Sequence, residues 1–134
     1  MFIFSHLVHG ANGYLVTQFL DSTANHRTDK WGGSIENRSR FGLEVLKELT
    51  KVFGPDVGIK LSPSGGYNDV GCVFQKLLHP LVRRLNGAFN RMPLQETLDT
   101  YSHFITEADK LNLAYFTLVR YHPSFDIEFD GTYF

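Results

Sequence analysis

Three short apolar runs, spaced by two amphipathic stretches, leave this chain few architectures to choose from. Residues 2–9 are apolar, rich in β-formers, and stop where Gly10 and Gly13 begin, so they read as a strand. Residues 57–61 read as a second strand and residues 113–121 as a third. Between the first two, residues 20–33 are polar, carry both charge signs and close on a Gly-Gly pair, the pattern of a long loop. Ser34 then reads as the N-cap of a helix with Phe41, Val45, Leu46, Leu49, Val52 and Phe53 on one face, ended by Gly54-Pro55. A second helix is predicted over 93–112, with Leu94, Leu98, Tyr101, Phe104, Ile105, Ala108 and Leu111 as its buried stripe. The result is a β/α alternation without internal repeat or low-complexity segment.

Composition narrows the function classes. With 134 residues and 43% hydrophobic content there is material for one core. A formal net charge of -1 supplies no general attraction to nucleic acid or to an anionic membrane, and neither partner is expected. Cys72 is the single cysteine, which excludes an intramolecular disulfide and a thiolate metal cluster and agrees with a reducing compartment. No metal centre is expected. Residues 1–6 are apolar but short, with no basic residue ahead of them and no small-residue cleavage pattern behind, so a signal peptide is not expected. No apolar run approaches the length of a membrane span, and the cytoplasm is the expected compartment.

The chemistry-bearing residues gather at the end of the first strand. His9, Asn12 and Tyr14 put an imidazole, a carboxamide and a phenol within six positions. His9 and Asn12 can both donate hydrogen bonds to one acceptor, and Tyr14 offers a phenolic proton nearby. Two neutral donors on one carbonyl oxygen would stabilise negative charge developing there. A histidine alone at a strand end reads as a satisfied polar residue; the company of Asn12 and Tyr14 is what points to chemistry. Alternation sets Leu7 and His9 on one side of the strand and His6 and Val8 on the other. In the second strand Val57, Ile59 and Leu61 share a face, so Lys60 points the opposite way, which is expensive unless it meets an anion or an electron-rich partner. Asp29, Glu36, Arg38 and Arg40 can form ion pairs across the loop and the first helical turn, a structural brace.

Ordered motifs place these residues in a family context. His-Gly-Ala-Asn-Gly-Tyr at 9–14, Gln-Phe-Leu at 18–20, Arg-Thr-Asp at 27–29, Gly-Gly-Ser-Ile-Glu-Asn-Arg at 32–38, Val-Gly-Ile-Lys-Leu-Ser-Pro at 57–63 and Gly-Tyr-Asn-Asp-Val-Gly at 66–71 together resemble the old yellow enzyme family, FMN-dependent ene-reductases, particularly its fungal members. The resemblance implies an α/β fold that is part of a TIM (β/α)8 barrel, about three strands and two main helices of the eight, with His9 at the carboxyl end of its strand, where such barrels keep their chemistry. It implies FMN as cofactor, NADPH as reductant and an enone or enal as small-molecule substrate. Carried over by position, His9 and Asn12 would bind the substrate carbonyl, Tyr14 would give a proton to the α-carbon, and Lys60 would lie against the pyrimidine side of the flavin. The chain departs from the pattern at His6-Leu7-Val8, where members carry Val-Glu-Ile: the acid is lost and a histidine stands where an outward apolar residue would pack under a helix.

The resemblance stops at Gly71 and resumes at Met92. Residues 72–91 are thus an atypical insert in a single partial FMN-oxidoreductase domain spanning 1–134, carrying Lys76, Arg83, Arg84 and Arg91 without one acid. An intron translated in frame or an equivalent gene-model artefact, a surface loop, and a basic amphipathic segment that binds a partner or membrane surface all fit it. A complete barrel takes roughly 250 residues, so the resemblance implies that the first three strands, the last two and the glycine-rich backbone holding the FMN phosphate are missing. An open sheet leaves two edges unpaired and helix stripes uncovered. Each exposed Leu, Ile or Phe forfeits about 1.5–3 kcal/mol against a total of about 5–15 kcal/mol for a domain. This chain alone is therefore expected to lack activity and to associate through its open edges; a non-catalytic remnant or partner-binding module is the alternative.

Overall fold

The computed structural model describes residues 6–63 and 92–119. The insert at 72–91, the start at 1–5 and the tail from 120 lie outside the described residues. The described elements run β1 (His6–Gly10), α1 (Leu15–Leu20), α2 (Ile35–Phe53), β2 (Val57–Leu61), α3 (Leu94–Asp109) and β3 (Tyr115–Leu118). The strands form one parallel sheet in the order β1-β2-β3. Parallel neighbours need a crossover, and α2 supplies the one between β1 and β2.

The second strand has its expected bounds because Gly54 and Pro55 stop the preceding helix: Gly54 takes φ 64, favourable only for glycine, and its N–H donates to the Thr50 carbonyl. The other end of α2 is fixed by Ser34, whose hydroxyl accepts from the Asn37 N–H at 3.3 Å. Strand β1 reaches one residue past His9, to Gly10, and its described part starts at His6; β3 is shorter than expected, four residues between 115 and 118. The short helix α1, not foreseen, is nucleated by the turn 10–14: the Thr17 hydroxyl donates to the Gly10 carbonyl at 3.1 Å and the Gln18 amide to that of Gly13 at 2.8 Å.

Helices cover one face of the sheet. Val57, Ile59 and Leu61 are fully buried there with Val16, Leu20, Leu46, Met92, Tyr101, Phe104 and Ala108. Gly42 lets α2 and α3 meet closely, since a Cβ at this position would stand 2.7 Å from the Phe104 ring and 3.0 Å from Val16. His6 packs flat on Phe53 of α2, ring centroids 3.8 Å apart, so an aromatic imidazole fills the place under the helix where an apolar side chain was expected.

Both expected stripes pack on the core, through Phe41, Leu46 and Leu49 on α2, through Tyr101, Phe104, Ile105 and Ala108 on α3 and through Leu111 just past its end, with single members left out. Val52, 73% exposed, and Phe53, 38% exposed, lie in the last turn of α2, beyond Leu46, the last buried residue of that helix. On α3, Leu98 is 45% exposed while Thr97 and Thr100 are buried. Both threonines can be, since the Thr97 hydroxyl donates to the Pro93 carbonyl and the Thr100 hydroxyl accepts from Arg38.

The expected brace exists with other partners. Asp29 pairs with Arg27, not with Arg38 or Arg40. Arg38 donates to the carbonyls of Leu20 and Gly33, to Glu96 at 2.9 Å and to Thr100 at 3.1 Å. Arg40 donates to the Lys30 carbonyl and the Asn37 side chain. Glu36 is held below the usual carboxylate range by the Ser34 hydroxyl and the helix start, not by an ion pair. One guanidinium therefore ties α1, the loop, α2 and α3 together. Asn25 closes the loop, its amide donating to the carbonyls of Phe19 and Trp31.

Candidate active site

A parallel sheet gathers all its carboxyl ends on one side. Here that rim carries His9-Gly10, Lys60-Leu61 and Thr117-Leu118. The register sets His9 opposite Lys60, and Lys60 opposite Thr117. In-register residues of parallel strands share a face. A Cβ built on Gly10 would meet the Ile59 and Leu61 side chains at 3.1 Å, and one on Gly58 would meet the Tyr115 ring at 2.5 Å. The row of Val8 and Ile59 and the row of Gly10 and Leu61 thus face the helices, and the row of His9, Lys60 and Thr117 faces away from them, above the row of Leu7, Gly58 and Tyr115.

Beyond His9 the chain makes a tight turn. Asn12 and Gly13 both take positive φ, 57 and 73. A non-glycine residue at such a φ is uncommon, with asparagine the best tolerated. The turn is anchored from outside: the Asn12 N–H donates to the Ser62 hydroxyl at 2.7 Å, across fifty residues of sequence, and the Tyr14 N–H donates to the Ala11 carbonyl. This brings Tyr14 back over the strand end, its ring 5.2 Å from that of His9 and tilted by 49°. Tyr14 remains 55% exposed. His9 and Tyr14 are in ring contact, Lys60 is the cross-strand neighbour of His9, and Asn12 sits in the turn between His9 and Tyr14.

Lys60 is half-buried, and among the described residues no carboxylate pairs with it. An unpaired ammonium beside an imidazole, on a sheet face whose next row is Leu7, Gly58 and Tyr115, suits an electron-rich or anionic flat ring better than a cation. FMN's ring system fits that donor set. Among the described residues no three His, Cys, Asp or Glu side chains cluster as a metal site, and no helix is long and apolar enough to cross a membrane. Ser62 escaped the sequence reading. The only signal was a hydroxyl directly after the second strand, and its partner lies too far along the chain to be inferred from spacing.

Comparisons with known proteins bear on the family and the fold. The profile of the NADH:flavin oxidoreductase / NADH oxidase family matches residues 7–108. The probable inactive dehydrogenase easA of Claviceps purpurea is 37% identical over 131 residues, covering 88% of this chain and 29% of that protein. The aldehyde reductase FrzD of Cladobotryum is 36% identical over 112 residues, covering 83% of this chain and 24% of its own. Among solved structures, Old Yellow Enzyme from Pichia superposes with a TM-score of 0.67 at 31% identity, over 92% of this chain and 29% of that one. The chain thus spans under a third of the relatives it matches, and its three parallel strands with their helices are part of an eightfold barrel.

Proposed function

The chain belongs to the NADH:flavin oxidoreductase / NADH oxidase family, as a partial old yellow enzyme barrel, and from that premise we propose that it carries the substrate-gripping rim of an FMN-dependent ene-reductase acting on α,β-unsaturated carbonyl compounds, with NADPH as electron source. The observation that carries this reading is the rim itself: His9 against Tyr14 at 5.2 Å, Lys60 beside His9, and Asn12 in the turn that joins them.

When bound and reduced by NADPH, FMN would supply the hydride that goes to the β-carbon of the alkene. The residues of this chain do the rest. His9 and Asn12 donate hydrogen bonds to the substrate carbonyl oxygen and withdraw electron density from the double bond. Tyr14 gives its phenolic proton to the α-carbon, so that one hydride and one proton saturate the C=C bond. Lys60 would hold the ring system, its positive charge favouring an electron-rich ring. The Ser62 hydroxyl holds the Asn12 backbone and so fixes how the turn presents its side chains.

As an isolated 134-residue chain the protein is proposed to reduce no enone, in keeping with the relative named as a probable inactive dehydrogenase. The test is therefore a chimera in which residues 7–108 replace the matching segment of the Pichia enzyme. His9→Ala and Asn12→Ala in that chimera should each lower kcat/KM for an enone by about tenfold to a hundredfold, one lost hydrogen bond to a developing charge. The nicotinamide half-reaction should change little. Undiminished enone reduction in both variants would remove the carbonyl-binding assignment.

A further inference from the structure

The row that holds His9 and Lys60 has a third member to which no role has been given. Thr117 lies opposite Lys60 in the register, on β3, at the same level of the sheet and on the face turned away from the helices. It is exposed, and among the described residues its hydroxyl makes no hydrogen bond. Adjacent strands lie about 4.8 Å apart, so the three residues that carry imidazole, ammonium and hydroxyl follow one another along a single row about 10 Å across two strand spacings. The row beneath is Leu7, Gly58 and Tyr115, with the Tyr115 ring where a Gly58 side chain would be. A flat polar-edged ring lying across the line would meet all three groups at once.

We propose that Thr117 is a further binding residue for the isoalloxazine ring, its hydroxyl hydrogen-bonding the ring edge on the β3 side of Lys60. This rests on the reading above that Lys60 faces a flavin. It adds a contact from a third strand and fixes the ring's rotation in its own plane, which a single ammonium on one side cannot do. Threonine suits the place: it is a good strand former, so the hydroxyl costs the strand nothing, and its donor and acceptor capacity lets it match either edge atom type.

The test uses the 134-residue chain, 15N-labelled, titrated with lumiflavin, which carries the ring without the ribityl phosphate. Backbone amides of His9, Lys60 and Thr117 should shift together along one saturation curve. Thr117→Val should raise the dissociation constant about fivefold, the size of one neutral hydrogen bond, and Thr117→Ser should restore it. Lys60→Met should raise it further. Shifts at His9 and Lys60 with Thr117 unmoved, or Thr117→Val binding as tightly as the native chain, would overturn the proposal and leave the flavin-facing role of Lys60 standing. No shift at any of the three would overturn both.

Discussion

Replacing Arg38 by methionine should remove a large part of this chain's stability. The side chain is only 6% exposed and its guanidinium reaches four acceptors: the carbonyls of Leu20 and Gly33, the Glu96 carboxylate at 2.9 Å and the Thr100 hydroxyl at 3.1 Å. Each hydrogen bond to a charged group contributes about 1.5–3 kcal/mol, but they are not additive, and Glu96, 32% exposed, regains water when abandoned. Breaking a buried ion pair from one side costs about 3–5 kcal/mol, and the exposure of Glu96 puts this case near 3 kcal/mol. Against about 5–15 kcal/mol for an ordinary domain, that is a large part of the total. Urea unfolding followed by circular dichroism at 222 nm measures it: the midpoint should fall with the slope unchanged. Glu96→Gln, which keeps an acceptor, should cost about 1 kcal/mol. A loss below 1 kcal/mol for Arg38→Met would refute the brace.

Gly42→Ala should destabilise by about 2 kcal/mol through overpacking against Phe104 and Val16, read from the same urea curves. Tyr101→Phe should do the reverse. The buried Tyr101 hydroxyl has no hydrogen-bond partner among the described residues, burial and then Asp21 push its ionisation upward, and removing it should raise stability by about 1 kcal/mol. Asp29 is held below the usual carboxylate range by its hydrogen bond with Arg27 and by the Trp31 N–H, so its ordering of the loop is complete above the ordinary value and lost as pH falls through the lowered one. Trp31, the single tryptophan, should report this as a change in emission only below about pH 4, absent in Asp29→Asn. The isolated chain, purified without added cofactor, should carry less than stoichiometric FMN, measured by visible absorbance.

What could be read from the residues and what could not follows the range of the interactions. The bounds of β2 and both ends of α2 are set by neighbours one to four residues away, a glycine at positive φ and a serine cap, and so they were legible. His9, Asn12, Tyr14 and Lys60 were legible as types in an ordered motif, and the sheet register brings His9 beside Lys60. The hydrogen bonds from Asn12 to Ser62 and from Arg38 to Glu96 and Thr100 span fifty or more residues, and no local pattern announces them. Leu98 misled because periodicity counts apolar side chains and cannot weigh the buried Thr97 and Thr100 beside it, and Val52 because it cannot tell where along a helix the core stops.

The proposed role of Tyr14 is for its phenol to serve the alkene rather than the cofactor. Stopped-flow absorbance of Tyr14→Phe in the chimeric barrel separates the two half-reactions. Reduction by NADPH should run at nearly the native rate and oxidation by an enone should slow by about two orders of magnitude, the usual worth of a positioned general acid. Equal loss in both half-reactions, or none in either, would contradict it.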